Sequence, residues 1–361
     1  MNAKNSIQLE AENQVAGLRA ELRALILLGE ELRTKQKEAF ALKLFRFQAE
    51  FNAVYGQYVE LRGVDPKLVN AVNDIPFLPV EVFQSQAVHV FPKGWKSSVQ
   101  FRSSGTTGSV QSVHHVDEVI WYNEMALQGF EYFFNSAHEC KFCGLLPGYL
   151  ERGDSSLVHM VRNFMFAAGE SDPDALFFMH NWSALEEQLN QWVDEDFSGD
   201  IYLIGVTHAL LRWVDSLNKE SIDNWSKLKL HVFETGGMKG KGPELIRSEV
   251  HQRLGRLVGS KNVCSEYGMT ELLSQAWSKG GGVFNAPPWM EVKTGAFDDP
   301  IEWKEAGKQG RLHVVDLANI ASCAFLSTGD IGRCYEDGSF EVLGRYDHAE
   351  VRGCNLMAFN F

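Results

Sequence analysis

The chain has 361 residues, of which 45% are hydrophobic, so it is long enough to form one large domain or two smaller ones. Its formal net charge of −13 argues against general binding to nucleic acid or to an anionic membrane surface, because both need a basic face. No apolar run reaches the length of a membrane span and no signal peptide is visible, so we expect a cytoplasmic protein.

The N-terminal region has the pattern of amphipathic helices. Residues 8–61 place apolar positions at helical spacing among many charges, with interruptions near Gly29 and Gly56. One or two helices are therefore predicted there. The following IPFLPV, residues 75–80, contains two prolines, which favour an extended connection.

The middle of the chain alternates between strand and helix patterns. Predicted strands are KFCGLLP (141–147), DIYLIGV (200–206) and KLKLHVFETGG (227–237), and predicted helices are LVHMVRNFMFAA (157–168), THALLRWVDSL (207–217) and GPELIRSEVHQRLG (242–255). We expect Thr207 to cap one helix, Pro243 to lie in the first turn of another, and Gly255 to end it. This recurrence predicts a mainly parallel sheet covered by helices.

Short strands replace this pattern after about residue 283. The segments GRLHVVDL, CAFLSTGD and CYEDGSFEVL predict a small antiparallel β unit. Within it, Asp337-Gly338 is typical of a two-residue hairpin turn.

Six cysteines occur, among them the C-x-x-C pair Cys140 and Cys143. A second C-x-x-C or a histidine pair at zinc spacing does not follow, and the pair opens an apolar run. We therefore expect packing rather than metal or redox chemistry for every cysteine but Cys354.

Four hydroxyl side chains and two glycines lie together in FRSSGTTGSV, residues 101–110. Such a turn can direct many N–H and O–H donors to one point, which suits an anion. The lysine of the P-loop pattern is missing. Three other stretches share this richness in polar residues and glycine: FETGG (233–237), SEYGMTE (265–271), and STGD (327–330) followed by GRYD (344–347).

Taken in order, these stretches resemble the signature of adenylate-forming enzymes, which include acyl-CoA synthetases, luciferases and peptide-synthetase adenylation domains. The motifs that carry the resemblance are S-S-G-T-T-G, T-G-G, Y-G-M-T-E, T-G-D and G-R-x-D. The resemblance spans residues 103–347. It implies an α/β large-domain core of mainly parallel, helix-covered sheets with a small β unit. It also implies conversion of a carboxylic acid and ATP into an acyl-adenylate and pyrophosphate, with Mg²⁺ as cofactor.

The same resemblance implies roles for individual residues. The turn Ser103, Ser104, Gly105, Thr106, Thr107 and Gly108 would hold the β- and γ-phosphates. Gly236, Gly237 and Tyr267 would surround the adenine, Gly268 would belong to the same ATP site, and Thr270 would approach the phosphates. Glu271 would bind Mg²⁺, Asp330 would accept hydrogen bonds from the ribose hydroxyls, and Arg345 would lie near ribose and phosphate.

The chain departs from the adenylate-forming pattern in two places. The first loop of most relatives ends in a Pro-Lys pair, whereas Ser109-Val110-Gln111 follows here. Most relatives also continue past G-R-x-D for roughly a further hundred residues, a lid domain that carries a lysine. This sequence ends at Phe361, so we expect most of that lid to be missing.

The last residues contain RGCNLM, 352–357. A cysteine thiolate is a suitable nucleophile for an acyl-adenylate, and Arg352 could lower the pKa of the Cys354 thiol. The arrangement resembles the LuxE-like acyl-protein synthetases, which carry a fatty acyl group on a cysteine near the C-terminus. IPFLPVEVF (75–83), LPGYLERGDSSLVHMV (146–161), FETGGMKG (233–240) and HAEVRGCNLM (348–357) extend this likeness. Packing of Cys354 in a core is the alternative.

Without a lid lysine, another group must steady the α-phosphate. Lys239 is our first candidate, followed by Lys241, His114, His115 and Arg152. Each of them could also be an ordinary solvated or structural residue.

The predicted organisation is an N-terminal helical segment (1–74), an adenylate-forming core (75–345, with the β unit at about 283–345), and a truncated hinge and tail (346–361). The leading hypothesis is activation of a fatty acid to acyl-AMP, transfer to Cys354 as a thioester, and delivery to a partner such as an acyl reductase. One alternative is an acyl-CoA ligase or carrier-protein loading enzyme with Cys354 inert. The other is a non-catalytic binding subunit with a degenerate adenylation core.

Overall fold

The computed structural model of the protein describes residues 3–28, 33–104, 110–236, 245–297 and 302–345. The helices in these ranges are α1 (Ala3–Leu27), α2 (Arg33–Phe51), α3 (Ala53–Leu61), α4 (Val119–Phe133), α5 (Tyr149–Arg152), α6 (Ser156–Ala167), α7 (Trp182–Asp194), α8 (Thr207–Ser216), α9 (Lys219–Trp225) and α10 (Arg247–Val258). The strands are β1 (Leu78–Pro79), β2 (Val99–Arg102), β3 (Val113–Val116), β4 (Cys140–Leu145), β5 (Asp200–Val206), β6 (Lys229–Thr235), β7 (Val263–Tyr267), β8 (Ala276–Ser278), β9 (Val283–Phe284), β10 (Met290–Gly295), β11 (Gln309–Asp316), β12 (Phe325–Cys334) and β13 (Phe340–Arg345).

The predicted parallel sheet is confirmed. Strands β4, β5, β6 and β7 are parallel neighbours in that order, and β8 adds an antiparallel edge. Their residues form nearly continuous apolar runs because helices cover both faces. Phe130 of α4 and Phe164 of α6 lie against Trp277 on one face, while α8 and α10 pack on the other. The carboxyl ends of β6 and β7 therefore meet at one edge.

The antiparallel sheet predicted after residue 283 is also present. Its strands run in the order β10-β11-β12-β13-β9, and β1 joins β12 in parallel. The hairpin between β12 and β13 was predicted incorrectly as a two-residue turn. Tyr335 N–H donates to Ser339 O, which leaves three residues in the loop, with Gly338 at φ +81°. A left-handed glycine in a three-residue loop is the usual solution when a type I turn must match strand twist.

The N-terminal region forms three helices rather than one or two. The break between α2 and α3 falls at Asn52, not Gly56, because the Asn52 side chain accepts from the backbone N–H groups of Val54 and Tyr55 and caps α3. The predicted break near Gly29 lies outside the described residues. Asn52 also donates to Ser322 O at 3.0 Å, which ties the helices to the segment before β12.

Two helix boundaries differ from the sequence prediction. Thr207 does not cap α8, since its hydroxyl donates to Glu234 at 2.9 Å and Val206 occupies the cap position. Gly255 does not end α10, which continues to Val258 and stops at Gly259 with φ +76°. Pro243 lies outside the described residues. Among the helices that the structure describes, none has the length and apolar character needed to cross a bilayer.

Candidate functional site

Asp330 is the point at which three of the sequence blocks meet. Its Oδ2 accepts a hydrogen bond from the Tyr267 hydroxyl at 3.0 Å, and its Oδ1 accepts one from Arg345 Nε–H at 3.3 Å. Asp330 and Arg345 are register partners on β12 and β13, whereas Tyr267 ends β7 of the other sheet. The Asp330 carboxylate therefore joins the two sheets at the carboxyl end of β7.

Tyr267 is buried against a pair of stacked aromatic rings. Phe284 and Phe340 have centroids 5.9 and 5.4 Å from its own. Burial first, and then the negative charge of Asp330, raise the pKa of the Tyr267 hydroxyl. The hydroxyl consequently stays protonated and keeps its role as a donor to Asp330.

The turn after β6 begins at Gly236 with φ +77°, a conformation that favours glycine. The preceding Thr235 donates from its hydroxyl to Glu266 Oε2 at 2.7 Å. A Cβ at Gly268 would meet Oε1 of the same Glu266, so any larger residue here requires that side chain, which holds Thr235, to move. Thr235 and Glu266 are register partners, so this hydrogen bond links the ends of β6 and β7. Gly237, also predicted for this site, lies outside the described residues.

Glu271 is buried, with 6% of its surface exposed. Burial raises the pKa of its carboxyl, and the negative charge of Glu81 adds to this, while a hydrogen bond from Ser112 and the charge of Arg345 act in the opposite direction. Glu271 thus lies in surroundings that oppose its charge more than they compensate it. Thr270, directly before it, is also buried.

The surroundings of Glu271 fit a magnesium ion that is held by one protein carboxylate and mainly by the phosphates of a bound substrate. A buried carboxylate whose charge is poorly compensated would gain from a hard cation. No group of three or more His, Cys, Asp or Glu side chains in the described ranges could cage a metal. Mg²⁺ is commonly held by one or two carboxylates plus substrate phosphates, and a single carboxylate matches that pattern.

The hydroxyl-rich turn connects β2 and β3, which form an antiparallel hairpin. At its base, Ser103 N–H donates to Ser112 O at 3.1 Å, and Ser112 N–H donates to Ser103 Oγ at 2.9 Å. Ser112 at this base acts to lower the pKa of the Glu271 carboxyl, and His114, two residues further on, contacts the carbonyl of Thr270 at 2.8 Å. Ser104 is exposed beyond it. Gly105, Thr106, Thr107 and Gly108 lie outside the described residues.

Three α-phosphate candidates already have protein partners. His114 Nδ1 lies 2.8 Å from Thr270 O, and the ring is buried. His115, next along β3, points to the other face and lies against His89, with ring centroids 5.8 Å apart. Arg152 pairs with Asp154 at 3.0 Å. These contacts favour structural roles for all three, while Lys239 and Lys241 lie outside the described residues.

Cysteine chemistry is not supported at the C-x-x-C pair. Cys140 and Cys143 are buried and unpaired by disulfides, and burial raises the pKa of the Cys140 thiol to about 12. The packing expected for Cys264, Cys323 and Cys334 is confirmed by their burial as well. Cys354 lies outside the described residues.

Sequence reasoning missed the residues that hold the Glu271 loop. Asn319 Nδ2 donates to Glu271 O at 2.8 Å, and Asp316 Oδ2 accepts from the backbone N–H groups of Leu273 and Ser274 at 2.8 and 3.0 Å. Neither residue stands in a glycine-rich block, and both lie more than forty positions from Glu271. No local signal in the sequence marks them.

The fold is that of the large domain of adenylate-forming enzymes. An open form of 2-hydroxyisobutyryl-CoA ligase in complex with 2-HIB-AMP and CoA is similar over 88% of this chain and 77% of its own, with a TM-score of 0.56 and 13% identity. ATP-bound MatB from Rhodopseudomonas palustris is similar over 71% of this chain, with a TM-score of 0.50 and 15% identity. An ATP-bound RpMatB–BxBclM chimera is also similar over 71% of this chain, with a TM-score of 0.51 and 14% identity.

This chain spans about half the length of the MatB structures. No protein-family model matches it, and no curated protein matches it. At these identities the likeness establishes the fold, so the chemistry has to be argued from the site.

Proposed function

We propose that this protein activates a carboxylic acid with ATP and Mg²⁺, forming an acyl-adenylate and pyrophosphate. The observation that carries the proposal is the set of contacts around Asp330, with Tyr267 and Arg345 on its two oxygens. Blocks separated by up to 78 positions converge there. ATP-bound structures share the fold, which supports a nucleotide at this edge.

In the proposed reaction a carboxylate oxygen of the acid attacks the α-phosphorus of ATP, and the bond from that phosphorus to the bridging oxygen breaks. Pyrophosphate leaves. Asp330 would accept the ribose hydroxyls, and Arg345 would lie beside ribose and phosphate. Glu271 and the triphosphate would hold Mg²⁺, which supplies positive charge to the leaving phosphates. The hydroxyl-rich turn would donate to the β- and γ-phosphates, because positioning and charge stabilisation dominate phosphoryl chemistry.

The finer proposal is that the acyl group then moves to Cys354. The thiol loses its proton, its sulfur attacks the acyl carbon, and the bond from that carbon to the AMP oxygen breaks. The resulting thioester would pass to a partner such as an acyl reductase. This step rests on the resemblance to LuxE-like acyl-protein synthetases, with a fatty acid as substrate.

A CoA ligase is the second candidate. The 2-hydroxyisobutyryl-CoA ligase structure, which is similar over 88% of this chain, holds an acyl-adenylate together with CoA. In this alternative the thiol of CoA or of a carrier protein would attack the adenylate, and Cys354 would be inert.

ATP–pyrophosphate exchange with a panel of carboxylic acids tests the first step. We expect exchange with the native chain, and a loss on the order of 100-fold in Glu271→Gln, because that variant removes a transition-state charge partner. Glu81→Gln is the matched control, since Glu81 is a neighbouring carboxylate without a proposed metal role. Absence of exchange with every acid would favour a non-catalytic binding subunit.

Labelled fatty acid with ATP and no CoA tests the second step. A protein-bound label that is lost in Cys354→Ser and retained in Cys140→Ser would support acyl transfer to Cys354. The control is suitable because Cys140 Sγ donates to Ser136 O, a bond that a serine hydroxyl can also make. Labelling only of added CoA would support the ligase alternative instead.

A further inference from the structure

The segment that carries Glu271 has no regular secondary structure. Residues 268–275, between β7 and β8, form neither helix nor strand, and several of them are buried. Backbone groups in a buried irregular segment need side-chain partners, because water cannot serve them. Three side chains from distant parts of the chain supply these partners.

Two of the three lie at the end of β11 and just after it. Asn319 holds the carbonyl of Glu271, and Asp316 accepts from the N–H groups of Leu273 and Ser274 and from the Ser274 hydroxyl at 2.6 Å. Asp316 is fully buried, so removal from water opposes its charge and these donors offset that cost. Together they fix the residues that follow the metal-binding position.

The third is His114, which comes from the hairpin of the hydroxyl-rich turn. A carbonyl only accepts hydrogen bonds, so the contact with Thr270 O assigns the ring hydrogen to Nδ1. Burial lowers the pKa of His114 to about 4, which leaves the ring neutral near neutral pH. Phe83 packs edge-on against the ring at 5.7 Å and limits its movement.

His114 therefore joins two parts of the proposed site by one directional bond. Ser112, two residues earlier, is tied to Ser103 across the base of the same hairpin by two hydrogen bonds, so the contact with Thr270 O holds this base against the Glu271 segment. A buried imidazole costs roughly 1–3 kcal/mol more than an apolar ring if its hydrogen bond is lost. A leucine or phenylalanine would fill the same space without this cost, so packing alone does not account for a histidine at this position.

We propose that His114 is a positioning residue, which fixes the hydroxyl-rich hairpin relative to Glu271 and thereby sets the geometry in which Mg²⁺ and the triphosphate bind together. This inference rests on the proposed function. His114 would touch neither nucleotide nor metal, and its effect would pass through the Thr270 carbonyl to the next residue.

The variants His114→Asn and His114→Leu separate the hydrogen bond from the packing. Asparagine can place its Nδ2–H₂ where the imidazole Nδ1–H stands, whereas leucine fills space without a donor. His313→Phe is the matched control, because His313 is equally buried on β11 and neither of its ring nitrogens has a hydrogen-bond partner among the described residues, so it holds no backbone group of residues 268–275.

The first measurement is the Mg²⁺ concentration that half-saturates ATP–pyrophosphate exchange. We expect His114→Leu to raise it at least tenfold with a smaller loss in kcat, and His114→Asn to remain within about threefold of the native value. His313→Phe should leave it unchanged. A merely structural role for His114 would lower the folded fraction without moving this concentration, and that result would overturn the proposal.

The second measurement does not depend on activity. Hydrogen–deuterium exchange of peptides covering residues 268–275 should become at least tenfold faster in His114→Leu but not in His313→Phe, with a peptide from β5 reporting global opening. Unchanged exchange in residues 268–275 would overturn the proposal even in an active enzyme. If the native chain catalyses no exchange of pyrophosphate, the proposed function fails, and the amide data still decide whether His114 fixes this segment.

Discussion

Replacing His313 with phenylalanine should flatten the response of the protein's stability to acid. His313 is buried against Phe77 and Trp303, with ring centroids 5.3 and 5.2 Å away, and neither of its ring nitrogens has a hydrogen-bond partner among the described residues. Burial, with a smaller contribution from the charge of Arg311, lowers its pKa to about 4 from the ordinary value of 6.5. A phenyl ring keeps the packing and removes the titration.

The sign follows from the two pKa values. As the pH falls, the unfolded chain binds a proton at His313 first, because its pKa is higher, so stability is fully present above about 6.5 and declines until the pH reaches about 4. Between about pH 7 and pH 5, one such histidine costs about 2 kcal/mol of unfolding free energy. His313→Phe should recover that amount.

Urea unfolding at a series of pH values measures the difference. The native curve should fall more steeply than that of His313→Phe, with the gap widening by about 2 kcal/mol from pH 7 to pH 5. His114 and His159, whose pKa values are also lowered to about 4, keep some acid dependence in both proteins. The control Val314→Ala, in the adjacent buried position, should lower both ends of the native curve equally. Parallel curves for the native chain and His313→Phe would refute the reasoning.

Three further substitutions have expected outcomes. Tyr267→Phe removes the donor to Asp330 and should raise the half-saturating ATP concentration in pyrophosphate exchange roughly tenfold, whereas Tyr335→Phe, which removes a similar bond to Glu341, should not. Arg19→Met breaks the buried pair with Asp117 and should cost about 3–5 kcal/mol in urea unfolding, while Arg23→Met at the more exposed pair with Glu124 should cost about 1 kcal/mol or less. Gly268→Ala, which forces a Cβ onto Glu266, should lower the thermal midpoint, whereas Gly17→Ala in open space on α1 should raise it. Equal effects of any variant and its control would contradict the corresponding contact.

The sequence by itself determined the order of strands and helices in the middle of the chain. Strand β5 occupies the predicted residues 200–206, and β4 and α6 differ from prediction by a few residues at their ends. Continuous apolar runs and 3.6-residue spacing depend on local residues alone, so these elements could be predicted without the fold. Gly236, predicted in a glycine turn, has the positive φ that such a turn requires.

Helix ends and the framework of the site depended on the tertiary structure. Thr207 was expected to cap α8, but its hydroxyl donates to the buried Glu234 instead. Helix α10 continues past Gly255 because its buried face extends to Leu257. Local propensities are worth a few tenths of a kcal/mol per residue, which packing easily exceeds.

His114, Asp316 and Asn319 show the same limit at the site. The motifs that contain Glu271 and Asp330 could be found in the sequence, but the side chains that hold the Glu271 segment lie on β3, at the end of β11 and just after it. Only folding brings them within 3 Å of that backbone. Hydrogen bonds across such distances in sequence follow from strand order and register, and no spacing along the chain encodes them.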